Sequence, residues 1–532
     1  MACEDAFIYV QYHTLILSHR FRWVYCQLET LRPCLPPSVR RILAELPETL
    51  DATYERILQE IPKSNQALAH RLLQCLTVAV RPLRVEELAE ILTVDFSTPE
   101  GIPKLNEALR WEDHEQAVLS ICSSLIAVID DGVSRLVQFS HFSIKEFLTS
   151  DRLVTSTMDA SRYHHILLEP AHTIMAQACL GVLLRFDSHT DEASIMSFPL
   201  AKYAAEHFGD HAEFEGVLSY ILNGADTLLD ADKPHFSAWV RMRGLDQLPF
   251  LQPDVMPLYY VAARGYRGLV DYLISKRPDD VNVRGYYGTP LHGALGGAHA
   301  EIARLFLGYG VDVDVRDCDD VTPLHLAAYN GFLDVVRTLV ERYADINARD
   351  SSGNTPLHRA MEDFEEPGSI QERSLDVVNF LLQHGADPGT QNDHHSTPLH
   401  QASYYGSVRG TQLMLEHGAN IHTRSWKGRT PLHRVLASLD DAYDTLDIFV
   451  DTMRCLLAHG ADVDALDDDH ATPLHLASYF DRVKGAQLLL EHGAHVHLED
   501  KRGKTPFQVA SEGGGTKVTQ LLSEYLQSQK NV

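Results

Sequence analysis

Two sets of residues in this 532-residue chain have the types and spacing to do chemistry. Histidines are the first. Six close a tetrapeptide Thr-Pro-Leu-His that begins at Thr289, Thr322, Thr355, Thr397, Thr430 and Thr472, and His384, His417, His459 and His492 each precede a glycine. Imidazoles at this density could ligate a metal. Ligation needs clustered donors, and only His394-His395 and His492/His495/His497 cluster. No cysteine lies near either group and zinc-like spacing is absent, so no metal site is expected. The motif histidines are expected instead to hydrogen-bond turns to helix starts. The second set is Arg502-Gly503-Lys504-Thr505, which looks like the end of a phosphate-binding loop. The glycine required five positions before Gly503 is Leu498, and no Gly-x4-Gly-Lys-Ser/Thr, His-Glu-x-x-His or Gly-x-Ser-x-Gly occurs anywhere. No catalytic residue, cofactor site or metal site is assigned, and the chain is expected not to be an enzyme.

The composition narrows the partners. Net charge is −27, with −13 in residues 1–250 and −14 in residues 251–532. Neither half offers the basic face that nucleic acid or an anionic membrane needs, so neither partner is expected. The eight cysteines are scattered with no C-x-x-C pair, as in reduced thiols that are mostly buried. The longest apolar run, Thr173 to Leu184, is too short to span a bilayer. The N-terminus carries acids where a signal peptide carries bases. A cytoplasmic or nuclear location is expected.

Behind the histidines stands a repeat. Degenerate copies of the tetrapeptide begin at Met256 and Thr505, and the eight starts are spaced 33, 33, 33, 42, 33, 42 and 33. In the copy beginning TPLHLAAYNGFLDVVRTLVERYADIN, Thr322 suits an N-cap and Pro323 the first helical position. Leu324 to Ala328 read as a short inner helix, Gly331 as its break, and LDVVRTLV as an outer helix. Gly310, Gly385, Gly418, Gly460 and Gly493 read as left-handed caps. Tyr343 stands where the glycine should be, so that cap should be strained or remodelled. One such unit cannot bury its apolar face alone, so the units must stack into a solenoid, and the motif resembles the ankyrin repeat.

Partner-binding positions are those the scaffold does not dictate. The residues closing the inner helices include Tyr329/Asn330, Tyr404/Tyr405 and Tyr479/Phe480, and exposed aromatics are favoured in binding hot spots. Trp426, in the locally basic hairpin SWKGRT, is a further candidate that could receive an acidic peptide. The two nine-residue insertions, within Glu362–Arg373 and Ala437–Phe449, carry five and four acids and are expected as acidic protrusions.

Residues 1–250 lack the repeat. VRRILAELPETLDATYERILQEI has helical spacing, with Pro47 opening a second helix. Residues 67–80, Val85–Leu92 and AVLSICSSL read as helices. LIAVIDDGVSRLVQF reads as two strands joined at Asp130-Asp131-Gly132, followed by a helix in HFSIKEFLTS. Helices followed by a hairpin wing form a winged-helix pattern. Glu86, Glu87 and Glu90, with no base, make Val85–Leu92 unsuited to phosphates.

The stretches FRWVYCQLETLRPCLPPSVRRILAELPETLDATYERIL, RPLRVEELAEILTVDF and VQFSHFSIKEFLTSDRL resemble the segment after the nucleotide-binding domain in fungal NACHT–ankyrin proteins, NLR-like members of the STAND class. The resemblance implies a mainly α protein with four parts: residues 1–65, a post-NACHT helical segment; 66–152, a winged helix; 153–250, a helical linker; and 251–532, an ankyrin-repeat α-solenoid. It implies a scaffold or sensor in NLR-like signalling or innate recognition, with association with full-length NACHT proteins as one expectation. The family's nucleotide site has no counterpart here. The chain then reads as a truncated gene product, a short paralogue, or an adaptor in its own right. The alternative function is a fragment of a NACHT signalling NTPase.

Overall fold

In the computed structural model, described residues are 49–530 except 97, 99–101, 123, 155–162, 188, 245–255, 363–371 and 438–446. Two compact units form, residues 1–257 with 266–272, and residues 258–265 with 273–532.

The first unit is a winged helix built into a helical bundle. Helix α1 spans Leu50–Glu60, three residues later than Pro47 suggests, because the Thr49 hydroxyl accepts from Ala52 N and supplies the cap. The proposed helix before it lies outside the described residues. Helices α2 (Gln66–Val78), α3 (Val85–Leu92) and α4 (His114–Cys122) precede strands β1 (Ile126–Asp130) and β2 (Arg135–Phe139). The two strands pair antiparallel from Ile126↔Phe139 to Asp130↔Arg135, and Leu83-Arg84 joins β2 on its other edge. Asp131 closes the wing by accepting from Val133 N and Ser134 N, while Gly132 adopts φ +83°.

In 153–250, read as a helical linker, the described residues form helices whose apolar faces are buried. Helix α5 (Leu168–Leu183) holds the longest apolar run, and Met175, Ala176, Cys179 and Leu180 are fully buried. It packs on α2 and on α6 (Leu200–Ala212). In α7 (Pro234–Gly244), Trp239 is buried, sets its edge against Phe208 and donates Nε1–H to the Ala205 carbonyl. Two ion pairs fasten the winged helix internally. Glu87, fully buried, takes a bidentate fork from Arg81 at 2.7 and 2.9 Å. Glu90 binds Arg110 and also accepts Leu200 N at the start of α6.

The second unit is the repeat array. Inner helices Pro290–Gly296, Pro323–Tyr329, Pro356–Arg359, Pro398–Tyr404, Pro431–Leu436, Pro473–Tyr479 and Pro506–Gly513 each start on the expected threonine and proline. Leu324, Leu357, Leu399, Leu432 and Leu474 are at most 1% exposed, each contributing about 2 kcal/mol by burial. Outer helices of nine residues follow in the copies that begin at Thr289, Thr322, Thr397 and Thr472, such as Leu333–Glu341, whereas the copies with insertions have twelve, Glu372–Gln383 and Asp447–Ala458. Positive φ is kept at all five cap glycines: 74° at Gly310, 97° at Gly385, 86° at Gly418, 89° at Gly460 and 84° at Gly493. Tyr343 holds φ +66° with its ring 92% exposed, so that cap is strained rather than remodelled.

Candidate functional site

The motif histidines fix the spacing of the array. In each, Nε2 faces the carbonyl preceding the next repeat's threonine: Val321, Asn354, Ser396, Arg429, Ala471 and Lys504, at 3.0–3.2 Å. A carbonyl only accepts, so Nε2 carries the proton. Nδ1 must then accept from the backbone N–H and hydroxyl of its own threonine, as at Thr322, 3.2 and 2.9 Å. Burial pushes His325, His358, His400 and His433 down to about 4. These are neutral struts, with no free nitrogen for a proton shuttle or a ligand. Of the histidines before the caps, His384, His459 and His492 each hydrogen-bond a carbonyl of their own outer helix. No group of three His, Cys, Asp or Glu among the described residues could hold a metal.

Hairpin tips make a second ladder. Cys318 N donates to Tyr286 O, Ser351 N to Asp319 O, Asp393 N to Ser352 O, Trp426 N to His394 O, Asp468 N to Lys427 O and Lys501 N to Asp469 O, all within 2.8–3.1 Å. With both ladders fixed, the side chains at the inner-helix ends and hairpin tips are held at defined spacings.

The seven residues singled out from sequence divide by role. Tyr479 is 63% exposed, with Phe480 edge-on at 4.9 Å. Tyr404 and Tyr405 form a similar T-shaped pair at 5.2 Å, both half-buried. Tyr329 is 37% exposed. Asn330 belongs to the scaffold: its Nδ2 donates to Leu295 O in the previous repeat and to Leu326 O, capping two carbonyls. Trp426 is 64% exposed with the Lys427 ammonium 4.6 Å above its ring. The basic hairpin around it is largely neutralised, since Arg424 pairs with Asp468 and Arg429 lies 3.8 Å from Asp467. That weakens the case for an acidic peptide at this tip.

The insertions also differ from expectation where they can be seen. Glu362 binds Arg359 at 2.8 Å and accepts from Gln401, so it is tied into the array, while Ala437 and Phe449 are buried. Glu372 and Asp447 open the outer helices Glu372–Gln383 and Asp447–Ala458, and the other insertion acids lie outside the described residues. Sequence reasoning missed the exposed Tyr286 at a hairpin tip and Arg434, whose guanidinium lies 4.7 Å from the Tyr404 ring centre. Arg434 follows a motif histidine, a position whose residue varies from copy to copy, and that variation is the signal that could have found it.

In the first unit the helix immediately before the wing is α4, not Val85–Leu92. It carries His114 and Glu115 and no Lys or Arg, and Glu115 pairs with Arg135 of β2. A cavity of about 80 Å³ lined by Glu86, Glu90, Arg110, Trp111 and His114 gathers titratable groups. Both oxygens of Glu90 are engaged there, by Arg110 and Leu200 N, so the cluster is a brace. Cys75 and Cys122 are buried thiols pushed up to about 12 by desolvation, the opposite of nucleophile activation. No described helix is long and apolar enough to cross a membrane.

Comparison with known proteins agrees with both units. Stretches 258–350, 297–367, 368–450 and 447–532 match the family described as ankyrin repeats (3 copies). Residues 54–159 match the GPI inositol-deacylase, winged helix domain. A curated relative, the azaphilone pigments biosynthesis cluster protein L of Monascus ruber, is 30% identical over 297 residues, covering 51% of this chain. The matched stretch spans 61% of the relative's own length.

Proposed function

Because the chain belongs to the ankyrin-repeat proteins, matched over more than half its length, we propose that it is a non-enzymatic scaffold or sensor. It captures a protein partner on the face formed by the inner-helix ends and hairpin tips. The observation that carries this reading is the set of aromatic side chains at equivalent helix ends, Tyr329, Tyr404/Tyr405 and Tyr479/Phe480, held by ladders of backbone bonds. Rigid aromatics bury much area at little entropic cost, so a face of this kind suits protein recognition. Site-specific photocrosslinking tests it. A benzophenone amino acid placed at Tyr479 or Trp426 in the full chain should give discrete protein adducts in the native host. The same group at Gln487, exposed on the outer helix Val483–Glu491, should give none. Adducts from Gln487 alone would move the binding face.

A second reading places the chain in NACHT-type signalling, and the order winged helix then ankyrin repeats favours it. In that reading the partners include full-length NACHT proteins, the location is cytoplasmic, and the nucleotide chemistry belongs to a module outside these 532 residues. Its tests are the size of the native protein on a blot and an ATP titration of the 532-residue chain. A much larger band with no ATP binding by the chain fits a signalling fragment. ATP binding by the chain itself would overturn the non-enzymatic assignment.

A further inference from the structure

One position, directly after the motif histidine, is occupied by Leu326, Arg359, Gln401, Arg434 and Leu476 in successive repeats. The two arginines are treated differently. Arg359 is held by Asp350 at 2.6 Å and by Glu362 at 2.8 Å. Asp350 lies five residues before its motif threonine, Thr355, and Glu362 seven after it. Around Arg434 the corresponding positions, counted from Thr430, are Ser425 and Ala437. Both carboxylates are replaced and the cation is kept. Among the described residues Arg434 makes no ion pair, and its Nε is buried with no acceptor. Its guanidinium rests on the Tyr404 ring, and Arg429 is a further like charge nearby. At the equivalent position one repeat back, Gln401 gives its Nε2–H to Glu362 and leaves a buried Oε1 with no donor. A half-buried cation without a counter-ion, and an acceptor without a donor, both oppose stability. They occupy equivalent positions of neighbouring repeats, and among the described residues neither finds its partner, in a chain with 73 acidic residues against 46 basic.

We infer that Arg434 receives a carboxylate side chain of the protein partner, an Asp or Glu in an extended segment, seated against Tyr404 and Tyr405. The partner's acid restores the ion pair that Arg359 makes internally, and a planar guanidinium suits a two-point bond to carboxylate. This rests on the groove reading above and names the chemistry of its partner.

The test has two arms on the full chain. The first needs no partner. Arg434→Met should leave the melting temperature unchanged or raised, whereas Arg359→Met, which strands Asp350 and Glu362, should lower it. Equal losses would make Arg434 a structural cation and overturn the inference. The second arm selects random short peptides displayed on phage against the wild type, with selected peptides then titrated on variants. The expected peptides share an Asp or Glu at one fixed position. Changing that acid to Asn or Gln, or Arg434→Gln in the protein, should weaken binding about tenfold or more. Peptides lost on Tyr404→Ala plus Tyr479→Ala but unaffected by Arg434→Gln would sink the carboxylate while leaving the groove intact. Failure to select any peptide, or binding indifferent to all three substitutions, would overturn the groove reading itself.

Discussion

His325 in one repeat donates its Nε2–H to the backbone carbonyl of Asn354, 3.0 Å away at the entry to the next. Its Nδ1 already receives two donors from Thr322, so a second proton on the ring would displace them. The folded state therefore holds the ring neutral, with a pKa near 4 against an ordinary 6.5. His358, His400 and His433 are held the same way. A depressed histidine pKa contributes stability that is complete above about pH 6.5 and is lost as pH falls toward 4. Urea midpoints of the array should fall steadily between pH 7 and 5, and His325→Gln should flatten part of that slope. A midpoint independent of pH over this range would show that the struts tolerate protonation.

Tyr343 keeps φ +66° at a cap where five other repeats place glycine. Its side chain is almost wholly exposed, so removing it forfeits little burial. Tyr343→Gly should stabilise the array by about 1 kcal/mol, the left-handed penalty less the entropy a glycine loses. Chemical denaturation checks this. A destabilised variant would mean the ring makes contacts that outweigh the backbone strain.

In the first unit, Glu87 is fully buried and bidentate with Arg81, and it also accepts Arg84 N to cap α3. Glu87→Ala should cost about 3 kcal/mol, because it strands a part-buried guanidinium and an orphan N–H together. A thermal scan should show an earlier transition than in the wild type, and an unchanged scan would mean that the ion pair contributes nothing to stability.

Most of the array was legible because each repeat states its own rules. Threonine, proline and cap glycine mark the helix limits, and the 33-residue spacing sets the stacking. The winged helix was legible for a similar reason, since Asp130-Asp131-Gly132 announces the wing. The segment 153–250 was not. Its helices have no punctuation to separate a linker from a core, and only the burial of Trp239 and of α5 decides it. Within the candidate face, aromatic type identified Tyr404 and Tyr479 as candidates, but nothing in the sequence showed that the Asn330 amide is spent on Leu295 and Leu326. Arg434 was invisible for the converse reason. A charged residue on a helix reads as solvated until the acids that should accompany it are found missing.

Asn330 offers a contrast within the face. Asn330→Ala leaves two carbonyls without the amide and should lower stability by about 1–2 kcal/mol, with peptide binding unchanged once folding is controlled. A binding defect at full stability would return Asn330 to the contact surface.

The most direct measurement of the central claim is the affinity of a selected peptide for the full chain and for its Tyr404→Ala plus Tyr479→Ala variant, read by fluorescence anisotropy. Both rings sit at helix ends, and neither is among the fully buried residues of the core. Partner capture on the inner-helix face predicts about a tenfold or greater rise in Kd with an unchanged melting temperature. Equal affinities for the wild type and the double variant would contradict it.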